Sequence, residues 1–225
     1  MNPNASKQPP VALTVLTVAW LIGLVWSGWA PHDRITWWME VAPCFAALVL
    51  LWWTRNSFEL TSMVYWLILI HGLILMLGGA YSYARVPLGF WMQEWFGFSR
   101  NNYDKIGHFA QGFVPALIAR ELLIREFAIT RRGLVAFLSI AICLAISAFY
   151  ELIEWWSALI MGQGADEFLG TQGDIWDTQS DMFFALIGAI TALLLLSRWH
   201  DRQMMKMKKP TSAGDDQQLK TTTSA

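Results

Sequence analysis

The chain has 225 residues, of which 55% are hydrophobic and 15% are charged, and its formal net charge is −1. So little charge excludes an ordinary soluble domain of this length, and the sequence has no basic surface of the kind that nucleic-acid binding requires. Long apolar segments instead predict an all-α protein in a lipid bilayer, because helices satisfy their own backbone hydrogen bonds there.

Transmembrane helices are predicted by length, since about 20 residues are needed to cross a hydrocarbon core about 30 Å thick. Six segments qualify, which are residues 11–29, 35–53, 63–80, 106–124, 133–156 and 182–197. The first is interpreted as an uncleaved helix because its apolar run is longer than the core of a secretory signal. The fourth is the most polar, since it carries His108 and Arg120. The prediction is a polytopic membrane helix bundle with one six-helix domain over residues 1–200, followed by a disordered cytoplasmic tail over residues 201–225.

A short amphipathic helix is predicted between the third and fourth segments, in the stretch VPLGFWMQEWFGF. One face of this helix is apolar, formed by Leu88, Trp91, Met92, Trp95 and Phe96. Aromatic amphipathic helices lie in the membrane interface, so the first interpretation is an anchor. The alternative is a lid or wall beside a lipid-facing site.

The basic residues predict the orientation of the bundle, because lysine and arginine collect in the cytoplasmic loops of membrane proteins. Of the 16 Lys and Arg residues, four fall outside when both termini are cytoplasmic, which leaves 12 inside. The four are Arg34, Arg85, Arg100 and Lys105.

Acidic residues and one histidine collect at the predicted periplasmic ends of three segments. Asp104 and His108 open the fourth segment four residues apart, on one face of the helix. Glu151 and Glu154 follow each other near the end of the fifth segment. Three aspartates precede or open the sixth segment at positions i, i+3 and i+7, namely Asp174, Asp177 and Asp181.

The helix dipole explains only part of this pattern. Acids at a helix N-terminus are favourable, which explains part of the occurrence of Asp104, Asp174 and Asp177 without any function. Glu151 and Glu154 lie at a C-terminal end, where the dipole opposes them and a cation or a bound proton must compensate. Ionisable groups at membrane depth usually face an interior or a wet cavity, so the pattern favours a functional polar site. The alternative is helix-end solvation with ion pairing.

Two kinds of chemistry fit such a site. Carboxylates and a histidine suit a divalent metal ion, with the predicted ligands His108, Glu151, Glu154, Asp174, Asp177 and Asp181. The predicted catalytic groups are Asp104, His108, Glu151 and Glu154. The same acids also suit a proton or ion relay, because closely placed acids shift each other's pKa values.

Other polar or reactive side chains inside the segments have simpler interpretations. His71 could contribute to the site, but the favoured interpretation is a hydrogen bond to a neighbouring helix. Glu40 either lines the same cavity or pairs with Arg34. Cys44 and Cys143 lack metal or disulfide spacing and are expected to be buried, inert thiols.

Three functions remain open from the residues alone. The leading hypothesis is a metal-dependent enzyme that acts at the periplasmic face on a lipid or polyprenyl-phosphate head group. The second is an ion- or proton-coupled carrier, and the third is a non-catalytic membrane partner protein. An enzyme needs a bound metal, whereas a carrier needs a polar path that reaches the cytoplasmic side.

Three motifs carry a resemblance to a known family. NNYDKIGHFAQGF, YELIEWW and GTQGDIWDTQSDM, in this order, resemble the YjdF family of bacterial inner-membrane proteins. The resemblance covers residues 11–200 and implies a multi-pass protein of the inner membrane, but no reaction. A fainter similarity to VanZ-like membrane proteins rests on DKIGHF, a Glu near the end of the next helix and aspartates before ALIGAI. It implies architecture only.

Overall fold

The computed structural model describes residues 9–161 and 171–207, in which every regular element is a helix. The helices are α1 Val11–Trp29, α2 Arg34–Thr54, α3 Ser62–Tyr81, α4 Pro87–Phe96, α5 Tyr103–Arg125, α6 Arg132–Met161 and α7 Asp177–Met207. Five of them, α1, α2, α3, α6 and α7, are long and apolar enough to cross a membrane. The all-α polytopic bundle is therefore confirmed.

Helix limits follow the apolar segments closely at the start of the chain and less closely at its end. α1 has the predicted limits, and α2 begins after Asp33, whose side chain accepts a hydrogen bond from the Thr36 amide at 2.7 Å. α7 is longer than residues 182–197 and ends at Met207, so the first seven residues of the predicted tail are helical. The rest of that tail, 208–225, lies outside the described residues.

The most polar of the predicted spans, α5, lies in the interior of the bundle. It packs most extensively on α7 and also contacts α6 and α3, while α1, α2 and α3 form a second group. α5 has 23 residues, which is long enough to cross the bilayer, and it buries Lys105, His108, Arg120 and Glu121. Protein surrounds these side chains where lipid would otherwise lie, and this explains why the helix is polar.

Small residues bring α5 and α7 into close contact. A Cβ atom added at Gly112 would lie 1.8 Å from the Ala185 carbonyl oxygen, and one at Gly188 would lie 2.1 Å from the Phe109 carbonyl oxygen. Glycine and alanine at such positions let helix backbones approach each other inside a membrane. The two helices that supply most of the polar side chains described below are thus held at a fixed short distance.

The short helix α4 is connected to the start of α5. Asn101 donates a hydrogen bond to the Val86 carbonyl oxygen at 3.0 Å and lies directly against Gly89. Trp95 and Phe96 are exposed on the surface of the protein. The predicted helix is present, and its position in the membrane interface stays a prediction.

Candidate functional site

Lys105 lies at the centre of an acidic cluster at the N-terminal end of α5. The end of the bundle that contains this cluster is called the Asp104 end below. Its ammonium nitrogen is 2.7 Å from Asp177 Oδ1 and 2.7 Å from Asp181 Oδ1. It is also 3.4 Å from Asp104 Oδ2. Lys105 is 7% exposed, so its charge offsets the three carboxylates with little help from water.

Arg100 adds a second cation at the outer edge of this cluster. It forms an ion pair with Asp177 and lies 3.4 Å from Asp174 Oδ2 and 3.5 Å from Asp104 Oδ2. Burial by itself would lower the pKa of the Arg100 guanidinium. The hydrogen bond to Asp177 and the negative charges of Asp104 and Asp174 outweigh the effect of burial, so the pKa is raised. Arg100 is therefore always charged and closes this side of the cluster.

A second group, formed by His108, Glu151 and Asp181, brings three helices together. Each residue offers one ligand atom, and these atoms lie within 4.8 Å of one another. His108 Nε2 is 3.6 Å from Asp181 Oδ1, and His108 Nδ1 is 3.9 Å from Glu151 Oε1. The three residues are called the His108 triad below.

Gln111 determines the state of the histidine ring. His108 Nδ1 lies 2.9 Å from Gln111 Oε1, so Nδ1 carries a proton and donates it to this oxygen. In a neutral imidazole the other nitrogen, Nε2, then has a lone pair, which is the form that binds a metal. Here that nitrogen lies 3.6 Å from Asp181 Oδ1, an oxygen that already accepts from Lys105, so its lone pair gains no donor from Asp181.

Glu151 has one carboxylate oxygen without a hydrogen-bond donor in the described part of the chain. Its Oε1 atom is buried and has no hydrogen-bond partner among the described residues. A carboxylate oxygen in that situation costs free energy, because it has lost its hydration without gaining a donor. The donor deficit of the His108 triad therefore lies at Glu151, because Asp181 Oδ1 already accepts a hydrogen bond from Lys105 at 2.7 Å.

The triad borders a cavity of about 510 Å³ between the two groups of helices. Apart from Thr54, the polar side chains of its lining are His108, Asp181, Asp104, Gln111, Glu154, Tyr150, Glu40, Tyr83 and His71. Tyr150 donates a hydrogen bond to Glu40 Oε2 at 3.3 Å, which links α6 to α2. Glu40 therefore lines the predicted cavity.

His71 differs from its expected role. The sequence predicts a hydrogen bond between this histidine and a neighbouring helix, but its Nε2 atom is buried without a partner among the described residues. His71 lines the cavity, where open space takes the place of a neighbouring side chain. Within the described part of the chain, the predicted hydrogen bond is thus absent at Nε2, and a contribution of His71 to the site stays a prediction.

The opposite end of α5 carries a network that the sequence did not predict. Glu121 is 0% exposed and accepts hydrogen bonds from the Thr61 amide at 2.9 Å, from the Thr61 hydroxyl at 2.9 Å, and from Arg125. His200 Nε2 lies 2.9 Å from Glu121 Oε2, and Arg120 lies 3.3 Å from His200 Nδ1. Since arginine can only donate, His200 accepts at Nδ1 and donates at Nε2. The network joins α3, α5 and α7.

The predicted site residues fall into three sets. One set is the Lys105 cluster with the His108 triad, which together contain Asp104, His108, Glu151, Asp177 and Asp181. Glu154 lines the same cavity from α6 but belongs to neither group. Asp174 pairs with Arg100 at the rim of the cluster, where its side chain is 33% exposed.

Known proteins resemble the chain over nearly its whole length. Residues 12–202 match a family described as predicted membrane protein, DUF2238. The inner membrane protein YjdF of Escherichia coli (strain K12) is 54% identical over 197 residues, which are 88% of this chain and 94% of that relative. The resemblance to the YjdF family is therefore confirmed. No solved structure matches the chain.

Proposed function

The chain belongs to the DUF2238 family of predicted membrane proteins, and we propose that it is an enzyme that binds a divalent cation and acts on a lipid head group. The protein is a multi-pass inner-membrane protein, in keeping with its relative and its five apolar helices. The proposed ligands are His108 Nε2 and one carboxylate oxygen each of Glu151 and Asp181. The observation that carries the proposal is the buried Glu151 Oε1 atom, which lacks a donor beside a histidine nitrogen whose lone pair faces a carboxylate.

The spacing of the triad suits a cation. Metal–ligand bonds of about 2.1 Å put tetrahedral ligand atoms about 3.4 Å apart. His108 Nε2 and Asp181 Oδ1 are 3.6 Å apart, so small side-chain rotations would close the triad around an ion. The other acidic group, Asp104 with Asp177 and Asp181, surrounds the ammonium of Lys105 and shares only Asp181 with the triad. We therefore assign the cation to the His108 triad rather than to the predicted ligands Asp174 and Asp177.

The polar part of the cavity is the proposed place of the reacting head group. Four of its nine polar side chains are acidic and none is a lysine or arginine. A phosphate group would therefore be repelled without a cation to bridge it, and the proposed metal would supply that positive charge. Glu154 lines the cavity outside the triad and is free to accept a proton from an attacking group. Asp104 lines the same cavity and stays a predicted catalytic group, although Lys105 and Arg100 both lie beside its carboxylate.

The proposed orientation puts the Asp104 end at the periplasmic face and both termini in the cytoplasm. It rests on the 12 basic residues counted on the cytoplasmic side against four outside. The substrate head group would then be reached from the outer leaflet of the inner membrane.

The test is metal content after purification and exposure to Mg²⁺, Mn²⁺ and Zn²⁺. We expect about one ion per chain in the wild type and a loss of affinity on the order of 10–100-fold in Glu151→Gln, which keeps the side-chain shape. Asp174→Asn is the matched control, because it removes a carboxylate from the rim outside the triad, and it should keep the ion. A metal-free wild type, or Glu151→Gln that binds as tightly as the wild type, would rule out the cation site.

A carrier is the second candidate, because His71 and the Glu121 network extend polar groups along α3 and α5 to the opposite end of the bundle. The two candidates differ in their dependence on Glu121, which follows His108 by 13 residues on α5, or about 20 Å along the helix. A proton-coupled carrier should lose proton movement into proteoliposomes in Glu121→Gln, while an enzyme should keep its cation affinity in the same variant.

A further inference from the structure

We propose that the cavity below the His108 triad binds the hydrocarbon tail of one single-chain lipid, which enters sideways from the bilayer between α2 and α6. This inference rests on the proposed function only for the head-group end. The tail site itself is argued from the lining and the opening of the cavity.

The cavity changes character along α2. Glu40 belongs to its polar part, and from Ala47 onward the lining is almost entirely apolar, made by Ala47, Leu50, Leu51, Thr54, Phe58, Ile118 and Leu122. The 14 residues from Glu40 to Thr54 correspond to about 21 Å of helix, or roughly two-thirds of the hydrocarbon core. A polar head end followed by a long apolar channel matches an amphiphile that lies parallel to the helices.

The opening of the cavity faces the lipid side of the bundle. Leu50 on α2 and Ile146 on α6 both line the cavity, yet they are 53% and 42% exposed. Within the described residues, α2 packs on α1 and α3, and α6 packs on α5 and α7, so these two helices have no extensive interface with each other. Their exposed side chains therefore border a slot through which a lipid tail can pass without crossing a polar surface.

The size of the channel favours one tail over two. A volume of 510 Å³ spread over about 21 Å gives a mean cross-section of about 24 Å², close to that of one extended hydrocarbon chain. A diacyl phospholipid would have to leave its second chain outside the slot. The expected ligand is a single-chain lipid phosphate whose head reaches the triad.

The test uses hexadecyl phosphate with a photoreactive diazirine near the end of its chain, added to the purified protein in nanodiscs. Peptide mass spectrometry should find the label on α2 and α5, at the level of Leu51 and Ile118. Ala47→Trp fills the channel and should reduce this label about tenfold. Ala46→Trp is the matched control, since Ala46 is exposed and does not line the cavity, and it should label like the wild type.

If Ala47→Trp does not fold, as judged by gel filtration, a second pair of variants tests the same site. Leu50→Trp narrows the slot and should lower the label, whereas Val49→Trp, on the exposed outer face, should not. Equal labelling of both members of a folded pair would overturn the tail site. Equal labelling by a diacyl phosphatidic acid with the same diazirine would overturn the preference for one chain.

Metal content measured on the same samples separates the two proposals. Channel labelling in a metal-free protein would support the tail site and refute the cation enzyme. A metal-loaded wild type without channel labelling would support the cation site and refute the tail site.

Discussion

Replacing Gly112 by alanine should move α5 away from α7 and weaken both the bundle and the His108 triad. The added Cβ would lie 1.8 Å from the Ala185 carbonyl oxygen, and this oxygen belongs to the backbone of a packed helix. No side-chain rotation can relieve the clash, so the two helices themselves must separate.

The size of the effect follows from the distances. Reaching an ordinary contact of 3.4 Å needs a separation of about 1.6 Å, and overpacking of this kind costs about 1–3 kcal/mol or more. His108 precedes Gly112 by one helical turn, and Asp181 precedes Ala185 by one turn. The 3.6 Å gap between His108 Nε2 and Asp181 Oδ1 would therefore widen to about 5 Å, too far for one cation with bonds of about 2.1 Å.

The assay is thermal unfolding in detergent together with cation binding. For a protein of this size, a cost of about 3 kcal/mol lowers the melting temperature by roughly 6–12 °C. Gly133→Ala is the matched control, because no other atom lies within 4 Å of the added Cβ, and a more rigid unfolded chain should make it neutral or slightly stabilising. A Gly112→Ala protein that melts with the wild type would refute the close α5–α7 contact, and unchanged cation affinity would refute its role in positioning the triad.

Three further predictions concern other parts of the molecule. Asp33→Ala should cost about 1 kcal/mol at pH 7, because an N-cap is lost. Hydrogen bonding from the Thr36 amide lowers the pKa of Asp33, so the cap contributes fully above the ordinary carboxyl pKa of about 3.9 and is lost in more acidic solution. The wild type and Asp33→Ala should thus differ in melting temperature at pH 7 and converge near pH 2. Glu121→Ala should destabilise by about 3–5 kcal/mol, since it leaves buried cationic and polar partners without an acceptor, and an unchanged melting temperature would contradict this. In intact spheroplasts, Ser99→Cys should react with a membrane-impermeant thiol reagent and Ser57→Cys should not; the opposite pattern would invert the proposed topology.

Helix positions were the most predictable feature, because the apolar length of a span is fixed by the thickness of the bilayer. The limits of α1 were predicted without error, and the polar interruptions of the fourth segment correspond to a helix enclosed by protein. α7 continues beyond its apolar run to Met207, which hydropathy cannot indicate. Its last turns pack on the protein, and Gln203 there accepts a hydrogen bond from the Met63 amide at 3.0 Å.

The candidate site was predictable as a collection of residues but not as a geometry. The sequence predicted that His108, Glu151 and Asp181 lie at the same end of the bundle. It could not predict which carboxylates contact Lys105 and which contact His108, because that depends on atomic distances. The Glu121 network was missed because its partner His200 is 79 residues away in the sequence and lies beyond the predicted end of the sixth segment. The signal was present in the adjacent pair Arg120 and Glu121, which are charged residues inside a predicted span.

The enclosure of α5 by other helices also constrains how the chain is made. A helix with buried Lys105, Arg120 and Glu121 partitions poorly into lipid on its own, yet its main partner, α7, is synthesised more than fifty residues later. During translation α5 must therefore wait beside the insertion machinery, or at the bilayer surface, until α7 emerges and supplies Asp177, Asp181 and His200. Chains truncated before residue 177 should then fail to keep α5 in the membrane, even though every more apolar span before it has already inserted.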